Sequence, residues 1–591
     1  AYRDTAANRI EENPYCLIYE VEGFGFKKSD RLALTLGFKV NDIRRLKAAI
    51  LYTLTYVCYQ QGFTFLTKEQ LLNSAKRLLS DSPEITEEEW QSALELLIQE
   101  DSLILEGERV FEPILYRSEL KCSEKIKKLY RAKGKTFPQD KVKDRLKEIE
   151  ELLQITYTPL QREAIVNALS NKLSIITGGP GTGKSTILNG ILNLYAKLNK
   201  LSVSDDEMQY KVLLVAPTGR AAKRMSETTR FKASTIHKAL GYSYEGGFSH
   251  NENSLLSCSF VIVDEVSMLD IELAASLFSA LPNTASVLLV GDANQLPSVG
   301  PGNVLADLMA GRMFKTTVLN QIMRQASTSD IITLSHMVLS ENISYDIFSN
   351  RREVFFYDYD TKDALEGIFK IIDNFIASGG DLQTELQILA PMYAGVAGID
   401  AINTAVQERY NPEGEKLIKR DSALFKKNDK VLQLKNDAQL DIMNGDIGKI
   451  IDIVRIDEKD ALLIDFDGRV VTYSVSLLDN LKLAYAISIH KAQGSEFKNV
   501  ILPILPSYQI MLKKKIIYTG FTRAKEKLIL LGKLEALDKA IHISDYQRQT
   551  ALYQRLEEAQ DRKERIFDSS IPFDTLGEYD MEGITPYSFM D

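Results

Sequence analysis

The octapeptide Gly178-Gly179-Pro180-Gly181-Thr182-Gly183-Lys184-Ser185 fits G-x-x-x-x-G-K-[ST], between an apolar run at residues 173–177 and a stretch of helical periodicity. This arrangement requires a strand to end in a glycine loop and a helix to begin on that loop, which commits this part of the chain to a parallel α/β layer. Backbone N–H groups and a helix N-terminus then surround a phosphate chain. Lys184 is expected on the β- and γ-phosphates of ATP and Ser185 on Mg²⁺. The expected nucleotide-binding set is Gly179, Pro180, Gly181, Thr182, Gly183, Lys184, Ser185 and Thr186.

Short apolar runs followed by helical stretches recur at residues 212–216, 260–263 and 287–290, and again at 386–390, 483–488, 500–505 and 528–531. Two parallel sheets follow, each with its ligands at the strand C-terminal ends. Residues 421–480 instead alternate polar and apolar, with turn pairs Asn444-Gly445 and Asp467-Gly468, and predict a small β-barrel inserted in the second core. Residues 1 to about 120 read as helical around Val21-Glu22-Gly23-Phe24-Gly25-Phe26. That glycine turn is either a helical hairpin whose N–H groups face a DNA phosphate or a plain interhelical turn, and the residues leave both open. The lysine-rich stretch 121–147 reads as a linker whose charge could track a DNA backbone, although such charge runs are usually solvated helix faces and that reading is favoured.

A chain of 591 residues exceeds what one core serves, and 45% hydrophobic with 26% charged residues is ordinary for soluble globular protein. Cys16, Cys58, Cys122 and Cys258 form no C-x-x-C pair, which argues against structural zinc, an iron–sulfur cluster or a disulfide framework, and a reducing cytoplasm is expected. With no eighteen-residue apolar run and no charged-then-apolar leader, no membrane partner is expected; Ala1 in place of Met suggests a fragment or processed product. The net charge of −9 counts little against nucleic acid, because phosphate contacts need only a local basic groove.

Asp264-Glu265 closes the apolar run 260–263, so two carboxylates are expected beside the phosphate loop. Asp264 would hold Mg²⁺ and Glu265 would orient and deprotonate the attacking water, which points to hydrolysis. Gly291-Asp292-Ala293-Asn294-Gln295-Leu296-Pro297-Ser298-Val299-Gly300 resembles the third motif of superfamily 1 helicases, in the RecD-like branch, and the other motifs fall into that family's order over residues 150–560.

The resemblance implies an α/β fold of two RecA-like P-loop motor cores with an inserted small β-barrel and an N-terminal mostly helical domain of helix-hairpin-helix and winged-helix-like parts. The expected divisions are 1–150, 151–320, 321–420 with 481–560, 421–480, and a tail at 561–591. It implies that Gln161 reads adenine, Gln295 senses the γ-phosphate, Arg324 and Arg523 reach that phosphate from the second core, and Glu496 meets the ribose. For DNA it implies contacts from Pro217, Thr218, Arg220, Thr235 and His237 in the first core, and from Tyr393, Ser488, His490 and Lys491 in the second. The family departs mildly at Gly520-Phe521, where Ala-Ile is usual, and at Phe63, where His is frequent.

The implied activity is ATP-dependent unwinding with 5′ to 3′ translocation on single-stranded and tailed duplex DNA, in repair or recombination. A β-hairpin within residues 241–257 would split the duplex, although an ordinary surface hairpin is also compatible with those residues. Alternatives are a translocase that does not unwind and a motor subunit of a larger complex. A small-molecule kinase would leave Gln295, Arg324, Arg523 and the second core without a purpose. A monomer is expected, with an acidic tail from Asp568 that is disordered or docks a replication or repair protein.

Overall fold

The computed structural model describes residues 6–557 except 22, 83, 244–245, 321–328, 350–351, 413–416, 421–422, 438 and 457–458. Arg324, the tip of the expected hairpin and the acidic tail lie outside the described residues.

In the N-terminal domain, Gly23 at φ +78° turns the chain into the helix Phe26–Thr35, which packs with Ile43–Gln61. A buried bidentate pair joins the two, Arg45 Nε to Asp30 Oδ1 at 2.7 Å and Nη2 to Oδ2 at 2.8 Å. The rest is a three-stranded antiparallel sheet (Phe65–Thr67, Arg109–Phe111, Ile104–Glu106) with helices Lys68–Leu78 and Glu87–Gln99, a winged-helix layout. Both helices start in capping boxes, Thr67 with Gln70 and Thr86 with Glu89. The helix Pro113–Arg131 packs on Ile271–Ala280 of the first core, so the two domains share one hydrophobic core.

The expected boundary at residue 150 is corrected by the helix Gln139–Leu153. Val142, Leu146 and Ile149 fall on one face of that helix and are buried against Lys184–Leu198, so the segment is part of the first core. Its lysines form the solvated face.

The first core is a six-stranded parallel sheet in the order Lys315–Leu319, Leu173–Gly178, Ser286–Gly291, Phe260–Val263, Val212–Ala216, Ala233–Thr235. The second is a five-stranded parallel sheet in the order Val354–Asp358, Ala524–Gly532, Phe497–Ile504, Leu386–Ala390, Ala486–Ser488. Antiparallel strands Lys430–Gln433, Ile447–Ile456, Lys459–Phe466, Arg469–Ser474 and Leu481–Leu483 enclose a separate small core. The run 483–488, expected as one strand, serves two sheets: Leu481–Leu483 edges the sheet of this inserted unit, beside Lys430–Gln433, and Ala486–Ser488 edges the second core.

A further correction concerns residues 544–557, assigned by sequence to the second core. After the helix Leu534–His542 the chain crosses to the N-terminal domain and lies against it. Thr64 N donates to Gln549 O at 2.8 Å, Ala551 N donates to Glu119 Oε1 at 2.9 Å, and Arg555 pairs with Glu119 and Glu106. Arg548 donates to Ser298 Oγ and to the carbonyls of Ser298, Gly300 and Gly302, while Gly302 N donates to Gly62 O.

Gly62 has φ +70°, and a Cβ there would lie inside the Arg548 guanidinium. Gly62→Ala is therefore expected to cost about 2 kcal/mol or more, from left-handed backbone strain plus displaced charged hydrogen bonds. Thermal unfolding measures the loss, and an unchanged midpoint would mean that Arg548 and residues 544–557 are not held this way.

Candidate active site and nucleic-acid interface

The buried strand Leu173–Gly178 runs into a loop in which Gly181 (φ +71°) and Gly183 (φ +85°) take left-handed conformations. Gly183 caps the helix Lys184–Leu198 without a side chain, so the first-turn N–H groups, with Ser185 and Thr186 beside them, are available to an anion. Lys184 Nζ donates to the carbonyls of Gly178 at 2.5 Å and Gly179 at 3.0 Å, and Thr182 Oγ1 donates to Gly179 O at 2.8 Å. Pro180 lies half-exposed in the same loop. Gln161 is buried: its Oε1 accepts from Thr158 N and its Nε2 donates to Thr182 O at 2.9 Å, so the amide expected at the base edge braces the loop.

Asp264 follows the strand Phe260–Val263; its backbone N–H donates to Val215 O, and its Oδ1 accepts from Glu265 N at 2.9 Å. Glu265 sits at φ +51°, ψ +40°, a costly backbone for a side-chain-bearing residue, of the kind that clusters at functional sites. Burial, then the adjacent Glu265 charge, push the Asp264 carboxyl up to about 6, against the pull of Lys184 and Arg224. An under-compensated carboxylate beside the phosphate loop, with the Ser185 hydroxyl in the first turn, is a donor set that suits a divalent cation.

Because that pKa is raised, the stability penalty of ionising Asp264 appears as pH climbs from 3.8 through about 6. Asp264→Asn should unfold at a higher temperature than the parent at pH 7.5, lose that advantage near pH 4, and fail to hydrolyse ATP. Equal midpoints at both pH values would contradict this.

The two cores meet through residues that follow these strands. Tyr518 OH donates to Asp292 Oδ2 at 2.7 Å, Leu296 N donates to Thr519 Oγ1 at 3.0 Å, and Gln493 Nε2 donates to Leu296 O at 2.9 Å. Gln295 is buried with its Oε1 unpartnered among the described residues and its Nε2 3.4 Å from Asp292 Oδ2. Arg523 is buried, donating to the carbonyls of Thr519 and Ser495 and to Thr522 Oγ1, with the Glu265 and Glu496 charges nearest. Burial depresses its pKa. Glu496, expected at the ribose, bridges the cores in ion pairs with Arg224 at 2.5 Å and Lys525 at 3.2 Å.

A groove of about 3230 Å³ runs between the cores, the barrel and the N-terminal domain, and all nine expected DNA-contacting residues line it. Pro217, Thr218 and Arg220 follow the strand Val212–Ala216, and Thr235 ends its neighbour Ala233–Thr235. Arg220 Nη1 donates to Ser495 Oγ at 2.8 Å. His237 packs its ring on Tyr242 and Phe248, which face each other in a two-stranded hairpin (Tyr242–Ser243 with Gly247–Phe248). From the second core, Tyr393 and Ser488 leave adjacent strands in register at Ala390 and Ser488. Tyr393 is 44% exposed, with Lys482 Nζ 5.2 Å from its ring. Burial lowers the His490 pKa to about 4, keeping that ring neutral.

Two barrel residues that sequence reasoning missed close the groove. Lys491 Nζ donates to Asn444 Oδ1 at 2.9 Å, and Met443 packs where a Cβ on Gly219 would fall. The Asn444-Gly445 turn signal locates this loop without revealing what it touches. Tyr518 was equally hidden, as one residue of a buried helix.

Among known proteins, residues 1–65 match the ATP-dependent RecD2 DNA helicase HHH domain and 402–466 the ATP-dependent RecD-like DNA helicase SH3 domain. Residues 161–301 match an AAA domain and 483–531 a UvrD-like helicase C-terminal domain. The ATP-dependent RecD2 DNA helicase of Deinococcus radiodurans is 32% identical over 562 residues, 93% of this chain and 74% of that protein. The chain belongs to the RecD2 DNA helicase family. It is an ATP-dependent DNA helicase, as the order of its motifs implied.

The RecD subunit of the RecBCD enzyme from Buchnera aphidicola subsp. Schizaphis graminum is 28% identical over 456 residues, 65% of this chain and 74% of that one. The Pif1 helicase structure from Candida albicans aligns with a TM-score of 0.40 at 19% identity, covering 66% of this chain and 97% of that chain. No helix among the described residues is long and apolar enough to cross a membrane.

Proposed function

We propose that this RecD2-family chain moves 5′ to 3′ along single-stranded DNA and separates duplex ahead of it, with ATP held between the two cores. The observation that carries this reading is the segment Ser488 to Glu496. It begins in the groove beside Tyr393, passes Gln493 on Leu296 and ends at Glu496 on Arg224, so one short stretch joins the groove to the cleft.

In this reading Lys184 and the loop N–H groups bind the phosphates, Glu265 takes the proton of the attacking water, and Gln295 relays the γ-phosphate to the groove side. Ser185 and Asp264 would hold Mg²⁺, which when bound would offset the negative charge of the phosphates. Arg523 sits in the second core and is preorganised by carbonyls, ready to meet charge developing on the phosphate as the cleft tightens. Alternating grip by the two cores moves the strand, the Tyr242–Phe248 hairpin meets the duplex, and the barrel loop at Met443 and Asn444 covers the strand.

The direction rests on the resemblance to RecD-like superfamily 1 motors, and kinship with RecD subunits supports a role in repair or recombination. Streptavidin displacement from oligonucleotides biotinylated at one end tests direction: faster release from the 3′ end is expected, and faster release from the 5′ end would reverse the polarity.

A further inference from the structure

His336 lies on the second-core helix Asp330–Leu339, and its Nε2 is buried without a hydrogen-bond partner among the described residues. The ring stands over the phosphate loop. A Cβ placed on Gly179 would have His336 Cε1 and Nε2 both at 3.9 Å and the Tyr518 hydroxyl at 2.8 Å. The carbonyl of the same glycine accepts from Lys184 Nζ. Three groups therefore converge on one loop residue, two of them from the opposite core.

Tyr518 is committed to Asp292, and Lys184 to the loop carbonyls. The imidazole nitrogen is not committed. A buried polar atom without a partner is costly to keep, and where it faces a ligand cleft the natural explanation is a partner that arrives with the ligand. Burial holds the ring on the neutral side, with the Asp292 charge opposing. A neutral imidazole can present Nε2–H to an anionic oxygen without bringing a further buried charge. The position selects the phosphate end of a nucleotide: Gly179 adjoins the amine of Lys184, whereas Gln161 braces Thr182 further along the loop.

We propose that His336 is a nucleotide-contacting residue of the second core, its Nε2–H donating to a terminal-phosphate oxygen of a bound nucleoside triphosphate. The contact rests on the reading of the phosphate loop given above and adds to it a donor that is neither Lys184 nor an arginine. It also gives the helix Asp330–Leu339, which packs on the Tyr518-bearing helix Lys514–Phe521, a direct register of whether the third phosphate is present.

The test is equilibrium binding of Mg²⁺-ADP and a Mg²⁺-bound non-hydrolysable ATP analogue to the full chain. His336→Asn offers no donor at the Nε2 position and should weaken analogue binding about tenfold while leaving ADP unchanged, as expected for one lost hydrogen bond to a charged group. His336→Gln, whose amide reaches that position, should stay within about threefold of the parent for both ligands. Equal weakening of ADP and analogue by His336→Asn, or none of either, overturns the proposal. Lys184→Ala is the control for the underlying reading: if it binds both nucleotides as the parent does, the phosphate-loop assignment has failed, whatever His336 does.

Discussion

Lys184→Ala should abolish ATP hydrolysis and strand separation together while leaving the fold intact. The amine is held by two carbonyls of its own loop, Gly178 and Gly179, so it is positioned before any ligand arrives. Removing one preorganised charge-stabilising donor costs on the order of 10²–10³-fold in turnover. The loss should be larger here, because the group also binds the ground state. Single-strand-stimulated hydrolysis and displacement of a labelled strand are the measurements, with thermal unfolding as the check on folding. Unwinding at an ordinary rate would mean that the loop does not power the motor.

Arg523→Ala should separate binding from turnover. The guanidinium spends its donors on Thr519 O, Ser495 O and Thr522 Oγ1 and has the Glu265 charge nearby, so it is oriented in advance and makes its main gain where charge develops. Hydrolysis should fall by ~10³ or more with ATP affinity within a few-fold, as for an arginine finger. Because the side chain is buried, alanine also leaves a cavity. Arg523→Lys, which keeps the charge but loses the fork, should retain folding and still hydrolyse poorly. Equal losses in affinity and turnover in both variants would give Arg523 a ground-state role instead.

The phosphate loop and the carboxylate pair could be read from the chain because their constraints are local. A glycine pattern that needs positive φ, set between a strand and a helix, has few other solutions, and Gly181 and Gly183 take those angles. Alternating residues likewise announced the barrel, though not that Leu481–Leu483 and Ala486–Ser488 part into different sheets, since one continuous apolar run carries no mark of the switch. The helix Gln139–Leu153 was obscured by its lysines: three buried apolar residues suffice to dock it, and the charge run drew attention to its other face.

What could not be read is the set of contacts between residues remote in sequence. Tyr518 with Asp292, Arg548 with the loop Ser298 to Gly302, and Glu119 with Ala551 depend on how finished sheets and domains are apposed, and no local period encodes that. Glu119, fully buried, looks in sequence like one more polar residue of a lysine-rich helix. These long-range polar links join the N-terminal domain, the motif after Gly291 and the second core.

The decisive measurement is unwinding and hydrolysis followed together on matched duplexes bearing a 5′ single-stranded tail, a 3′ tail or none. Strand separation only on the 5′-tailed duplex, with hydrolysis stimulated by single strands, is expected of a 5′ to 3′ helicase. Separation that needs the 3′ tail, or stimulated hydrolysis with no separation on any substrate, would contradict it.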